Sequence, residues 1–140
     1  QMRAFLVLLP VLLAACGAPK PPLVVSELEI TEPMPGRAMS AGYLVLTNNT
    51  DEPVRITRVE SPQFGSVEVH ETTITEGVSR MRELAELIVP ARGSVTLERG
   101  GKHLMLMRPT DVGDTVVLQF FSGGTPVLSV NYSVPEEGEQ

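Results

Sequence analysis

Two histidines and two methionines form a spaced set whose side chains suit a soft metal ion. Ten residues separate His70 from Met81, twenty-one separate Met81 from His103, and one separates His103 from Met105. Imidazole nitrogen and thioether sulfur bind Cu(I) well, whereas hard cations prefer oxygen donors. Cys16 is the only cysteine, which excludes an internal disulfide and a cysteine-based site within one chain. The side chains therefore favour Cu(I), while a packing role stays open because methionine commonly fills gaps in cores.

Short apolar or alternating runs must position these residues, and they predict β-strands. Turn residues separate the runs at a spacing of roughly 8–12 residues, which is typical of a β-sandwich or barrel. No stretch carries a long apolar stripe of helical period with caps. We therefore predict an all-β fold, an antiparallel Greek-key sandwich or barrel with immunoglobulin or cupredoxin resemblance. The predicted strands cover residues 23–30, 42–47, 54–59, 66–71, 94–97, 103–107, 115–121 and 127–134, with one or two more within 78–89.

The two-residue period of a strand assigns the candidate ligands to faces of the sheet. His103, Met105 and Met107 share one face of their strand, and the two leucines between them share the other. If the leucines face the core, the imidazole and both thioethers point away from it. The same period places His70 on the other face of its strand from Val67 and Val69. It places Met81 on the other face of its strand from Arg80 and Arg82. The other methionines are interpreted as packing or loop residues: Met34, Met39 and Met107, the last of which could also line the site.

Length and charge narrow the class of protein. The chain has 140 residues, which favours one domain, and its aromatic content is 4% with no Trp, so aliphatic side chains must fill most of the core. Its formal net charge is -6. Nucleic-acid binding is not expected, because phosphate neutralisation requires a face rich in Lys and Arg.

The first residues read as a targeting segment. A basic start, an apolar run at residues 4–13 and small residues before Cys16 are typical of a secretory signal. The tetrad Leu13-Ala14-Ala15-Cys16 resembles the bacterial lipobox, which implies cleavage before Cys16 and lipidation of that residue. We predict a signal peptide at 1–15, a lipidated Pro-rich tether at 16–22, a β domain at 23–134 and an acidic tail at 135–140. Gly17 provides no inner-membrane retention signal of the Asp type, so the expected location is the outer membrane, facing the periplasm.

The spacing of the candidate ligands also resembles a known signature. His-x10-Met-x21-His-x-Met is similar to the pattern of the bacterial periplasmic copper chaperones written PCu(A)C. Residues 41–48, 69–72, 100–107 and 113–116 resemble other segments of that family, and the similarity covers roughly residues 23–134. Two departures stand out. Glu71 replaces a methionine that often follows the first histidine, and Arg108-Pro109 replaces a frequent Gly-Leu.

The resemblance implies a fold, a ligand set and a role. It implies a cupredoxin-like β-barrel, here expected to be a monomer, that holds Cu(I) with His70, Met81, His103 and Met105. It implies copper delivery in the bacterial envelope. The usual destination is the binuclear copper site of cytochrome c oxidase subunit II, often alongside a thioredoxin-like copper protein.

Three alternatives stay open at this stage. The first is a redox enzyme that uses copper, although a blue-copper site would need a cysteine thiolate. A hydrolase is not expected, because no Gly-x-Ser-x-Gly, HExxH or phosphate-binding loop is present. Copper storage for resistance would use the same ligands without delivery. An adhesion or assembly module of the envelope would explain the fold and the anchor, but not the ligand spacing.

Overall fold

A computed structural model describes residues 17–33 and 36–136. The predicted signal peptide, Cys16, Met34 and the end of the acidic tail lie outside the described residues. Within the described ranges there is no helix, and hence none long and apolar enough to cross a membrane. The strands are β1 (Leu23–Ile30), β2 (Met39–Asn48), β3 (Val54–Ile56), β4 (Arg58–Glu60), β5 (Phe64–Thr75), β6 (Val78–Glu83), β7 (Leu87–Val89), β8 (Ser94–Leu97), β9 (Lys102–Pro109), β10 (Thr115–Ser122) and β11 (Thr125–Ser133).

The strands pair in antiparallel fashion and build a sheet that nearly closes on itself. Nine strands form one sheet in the order β1-β2-β9-β5-β4-β10-β11, with β6 added to β5 and β8 added to β2, while β3 and β7 form a separate pair. The first and last strands of this order meet where the Tyr132 hydroxyl donates to the Ile30 carbonyl at 3.4 Å. The prediction of an all-β antiparallel barrel is therefore confirmed.

Alternation along the central strands separates a core face from an outer face. In β2 every second residue from Ser40 to Asn48 is buried. In β9 the side chains of Leu104 and Leu106 are fully buried, and they lie opposite Val69 and Val67 of β5. Burying a leucine side chain stabilises the fold by about 1.5–3 kcal/mol, so this aliphatic face fixes the pairing of β2, β9 and β5.

Two predicted strands are divided in the structure. The run at 54–59 breaks at Thr57, whose amide donates to the Phe121 carbonyl at 2.9 Å, and its halves join different sheets as β3 and β4. The run at 78–89 contains two strands, β6 and β7. The run at 66–71 belongs to a longer strand, β5, whose end turns into β6 through Glu76 and Gly77. Both residues have positive φ (52° and 76°), the conformation of a tight hairpin turn.

Candidate metal centre

The two histidines of the chain lie side by side on the outer face of the sheet. His70 of β5 is directly opposite His103 of β9 in the antiparallel register. Their ring centroids are 6.0 Å apart, with the planes inclined by 54°. A metal ion bound to imidazole lies about 2 Å from the ring nitrogen, so one ion fits between two rings at this separation. The outer face that carries these rings is called the site face below.

A tight turn before β9 fixes the orientation of His103. Nδ1 of His103 lies 3.1 Å from the Gly101 carbonyl, which can only accept, so Nδ1 carries the proton. Gly101 is held in turn because its amide donates to the Glu98 carbonyl at 3.1 Å. Protonation at Nδ1 leaves the lone pair on Nε2, the nitrogen that is then available to a metal. His103 as a residue is 5% exposed, so it is more buried than its position on the outer face suggested.

His70 is oriented by a carboxylate and retains an unsatisfied nitrogen. Its Nε2 lies 2.7 Å from Oε2 of Glu68, two residues earlier on the same strand and the same face. Its Nδ1 is buried and has no hydrogen-bond partner among the described residues. A buried polar atom without a partner costs about 1–3 kcal/mol, which makes this nitrogen a candidate metal donor. A metal ion bound at Nδ1 would remove that cost.

Met105 lies beside the histidine pair. It is two residues from His103 on the same face of β9, opposite Glu68 on one side and Ala41 of β2 on the other. Residues two apart on a strand are separated by about 7 Å, within reach of a flexible thioether. Met105 is half-buried. The structure thus brings three of the four predicted ligands, His70, His103 and Met105, to neighbouring positions.

Met81 lies farther out, on the part of the β5–β6 hairpin that extends beyond β9. This segment, residues 72–81, is called the hairpin arm. Met81 is opposite Thr72, which shares the site face with His70, while the residue directly opposite His70 on β6 is Glu83. Met81 is 54% exposed. It therefore lies on the same face as the histidines, two cross-strand pairs beyond His70.

The two departures from the family pattern have different consequences. Glu71 faces away from the site, where Arg82 donates to its carboxylate at 2.8 Å and Lys102 lies 3.6 Å from it. The hydrogen bond from Arg82 holds the pKa of Glu71 below its usual value. Arg108 has φ 52°, a left-handed conformation that glycine adopts without cost. The glycine frequent at this place in the family would relieve that strain.

Sequence reasoning missed two groups that shape the site. Glu68 and the Gly101 carbonyl each hold one imidazole, and only the Glu-x-His alternation of residues 68–70 hinted at the first. Across the described ranges, no group of three or more His, Cys, Asp or Glu side chains is arranged to hold a metal ion. Nitrogen and oxygen donors alone therefore do not form a candidate site in these ranges, and the thioether sulfurs of Met105 and Met81 are the soft donors that share this face with the histidines.

Comparisons with known proteins identify the family. A family model described as "Putative lipoprotein LpqE-like" matches residues 23–131. "Putative lipoprotein Lxx21020" of Leifsonia xyli subsp. xyli is 29% identical over 101 residues, covering 68% of this chain and 61% of that protein. The chain spans only 56% to 61% of the length of the curated relatives it matches. The lipobox-like tetrad ending at Cys16 agrees with the description of the family as lipoproteins.

Solved structures of PCuAC-type proteins share the fold of this chain. The Cu(I)-bound form of DR1885 from Deinococcus radiodurans is 30% identical with a TM-score of 0.59, covering 89% of this chain and 84% of that one. The copper-bound PCuAC domain from PmoF2 has a TM-score of 0.63 over 81% of this chain and 92% of that domain, and at 19% identity it shows the fold alone. The chain belongs to the LpqE-like family and has the cupredoxin-like barrel of PCu(A)C domains.

Proposed function

We propose that this chain is a Cu(I) carrier of the bacterial envelope that catalyses no reaction. The observation that supports the proposal most is the cross-strand histidine pair. His70 has a buried Nδ1 with no hydrogen-bond partner in the described part of the chain, His103 has its Nδ1 bound to a carbonyl, and Met105 lies beside both. Two imidazoles with neutral thioethers suit the reduced ion, since Cu(II) prefers nitrogen and oxygen donors in tetragonal geometry.

In this proposal each ligand has a distinct part. Nδ1 of His70 and Nε2 of His103 bind the ion within the sheet, and Met105 adds a sulfur from the same face. Met81 completes the set when the hairpin arm bends toward the histidines. Because Met81 is exposed, it is the ligand that a partner's side chain replaces first. Protons compete with copper for both imidazoles, so acid should release the ion.

The location and the acceptor belong to the same proposal. Lipidation of Cys16 would anchor the domain, through the Pro-rich tether, to the periplasmic side of the outer membrane. The acceptor would be cytochrome c oxidase subunit II or a thioredoxin-like copper protein. Deletion of the gene should impair oxidase assembly if the chain delivers copper, and copper tolerance if it stores the metal.

Anaerobic Cu(I) titration against a chelator tests the metal site. The double variant His103→Ala, Met105→Ala should lose tight binding, and X-ray absorption of the loaded wild-type protein should show both nitrogen and sulfur ligands. Lys102→Ala is the matched control, because Lys102 lies on β9 but contacts Glu71 on the opposite face. Unchanged affinity in the double variant would refute the assignment. No copper uptake by a folded wild-type protein would favour an adhesion or assembly module.

A further inference from the structure

The methionines of the structure are distributed over the sheet in a way that packing does not explain. Within residues 17–33 and 36–136 there are four: Met39, Met81, Met105 and Met107. The strand register places every one of them on the site face with His70 and His103. The leucines of the same strands β2 and β9 are all on the core face, where they are buried. Apolar gap-filling alone would not sort thioethers from leucines in this way.

Two of these methionines form a pair of their own. Met39, the first residue of β2, is directly opposite Met107 of β9. Met39 was expected to be a packing or loop residue, and the sequence did not indicate this partner. Side chains directly opposite in an antiparallel pair have Cβ atoms about 4.5–5.5 Å apart. Both residues are half-buried, and their side chains are flexible enough for two sulfurs to approach one ion.

The surroundings of the pair leave a polar group unsatisfied. Met107 is opposite Ser66 of β5 on its other side, and the Ser66 hydroxyl oxygen is buried with no hydrogen-bond partner among the described residues. Beyond Ser66 the row reaches Glu60 of β4, which lines a cavity with Ser66 and whose carboxylate is paired with Arg58 at 2.9 Å. A soft monovalent ion between Met39 and Met107 would therefore meet two thioethers, the donors that it prefers to the hydroxyl and carboxylate oxygens farther along.

We propose that Met39 and Met107 form a second Cu(I) subsite, next to the histidine centre and reached from it through Met105. The proposal rests on the proposed function. Met105 lies between His103 and Met107 on the same face, about 7 Å along the strand from each. The ion would move when Cu–N bonds to the histidines are exchanged for Cu–S bonds to the methionines. Copper stays monovalent and no electron is transferred, so this step needs no reductant.

The subsite should be weaker than the histidine centre, because it offers two neutral sulfurs and no imidazole. A weaker neighbouring position is useful to a carrier, since it lets the ion leave in two small steps. The subsite and the hairpin arm lie at opposite ends of the site face. The ion could therefore leave through the subsite as well as by ligand exchange at the exposed Met81.

Titration of anaerobic, reduced Cu(I) into protein with 13C-labelled methionine methyl groups tests the subsite. We expect the first equivalent to shift the methyl signals of Met81 and Met105, and a second equivalent to shift those of Met39 and Met107. The double variant Met39→Leu, Met107→Leu should bind one equivalent fewer than wild type. Leucine is close to methionine in volume, so the fold should be retained, which circular dichroism checks. Lys102→Ala, on the opposite face of β9, is the control and should keep both equivalents.

The variants separate failure of the subsite from failure of the proposed function. In His103→Ala, Met105→Ala the signals of Met39 and Met107 should still respond to Cu(I). If the signals of Met39 and Met107 stay fixed at two equivalents while that of Met105 moves, the subsite is refuted and the carrier function stands. If no methionine signal moves in the wild-type protein, both proposals are refuted.

Discussion

The site face extends over two regions that differ in packing. One is the body of the sheet, where β2, β9 and β5 pair with one another, and the other is the hairpin arm. In the body, β9 lies between β2 and β5, and its leucines are fully buried beneath the two histidines. In the arm, β5 pairs with β6 and with no other strand of residues 17–33 and 36–136, and Ile74, Val78 and Met81 are all more than half exposed. The body can hold ligand geometry against thermal motion, whereas the arm has little buried surface to resist opening. The proposed ligands of the body and the more mobile proposed ligand of the arm, Met81, thus lie on one continuous face.

The largest difference between these regions should be in stability. Leu104→Ala removes a fully buried side chain directly behind the site and should destabilise the protein by about 2–5 kcal/mol. Val78→Ala in the hairpin arm should change stability by no more than about 0.5 kcal/mol. Urea unfolding of both variants without metal checks the contrast. Equal losses would mean that the arm is packed as firmly as the body.

Next in size is the contribution of Glu68 to copper affinity. Removing a group that orients a metal-binding histidine typically costs about 10–100-fold in affinity, and we expect this range for Glu68→Gln. Glu83→Gln is the matched control, because Glu83 is opposite His70 but belongs to the exposed strand β6. Competition titration with a Cu(I) chelator measures both. Similar losses in the two variants would indicate a general effect of negative charge instead of orientation of His70.

Met81 is the proposed ligand that lies on the hairpin arm, so its substitution tests whether the arm contributes to copper binding. Met81→Leu should weaken Cu(I) binding by about tenfold, at the lower end of the range for supporting groups, because the body ligands remain. The stability of the metal-free protein should stay unchanged, and the rate of copper loss to a chelator should rise. Stopped-flow transfer kinetics and urea unfolding provide the measurements. If affinity stays at the wild-type value, the arm takes no part in holding the ion.

Within the body of the sheet, the left-handed backbone of Arg108 near the end of β9 is a source of strain. Arg108→Gly should stabilise the metal-free protein by about 1 kcal/mol, since a left-handed residue with a side chain costs about 1–2 kcal/mol and glycine loses some of that gain to unfolded-state entropy. Thermal unfolding measures the change. Glu98→Gly, at a residue outside the positive-φ set, is the comparison and should not stabilise. Destabilisation by Arg108→Gly would mean that the arginine side chain contributes more than its backbone costs.

The smallest effect concerns a surface ion pair of the body. Arg99 donates to Glu29 at 2.9 Å, and this hydrogen bond lowers the pKa of Glu29 from its usual 4.5. A lowered pKa means that the pair stabilises the fold above about pH 4.5 and that this contribution is lost as the pH falls below that value. Arg99→Ala should flatten the stability profile slightly in acid, and Arg80→Ala should leave it unchanged. Urea midpoints from pH 3 to pH 7 test this. An unchanged stability profile in Arg99→Ala would mean that the ion pair makes no net contribution to the free energy of unfolding.

The sequence predicted local features of the site better than its long-range ones. Alternation in residues 103–107 placed His103 and Met105 on one face, and the β9 register agrees. The burial of His103 did not follow from alternation, because it depends on the β8–β9 turn and on the neighbouring His70. The division of residues 54–59 depends on strands far along the chain. The opposition of Met39 and Met107 joins residues nearly seventy positions apart, and no local pattern encodes that separation.

The alternation of leucine with histidine and methionine in β9 means that one pairing register specifies both the interior and the proposed metal ligands. Sliding β9 by a single residue would turn His103 and Met105 into the interior of the barrel and turn Leu104 and Leu106 to the outer face. Such a misaligned chain would lose its aliphatic interior and its proposed copper site together. Correct folding of the barrel therefore aligns the candidate donor atoms before any metal ion binds.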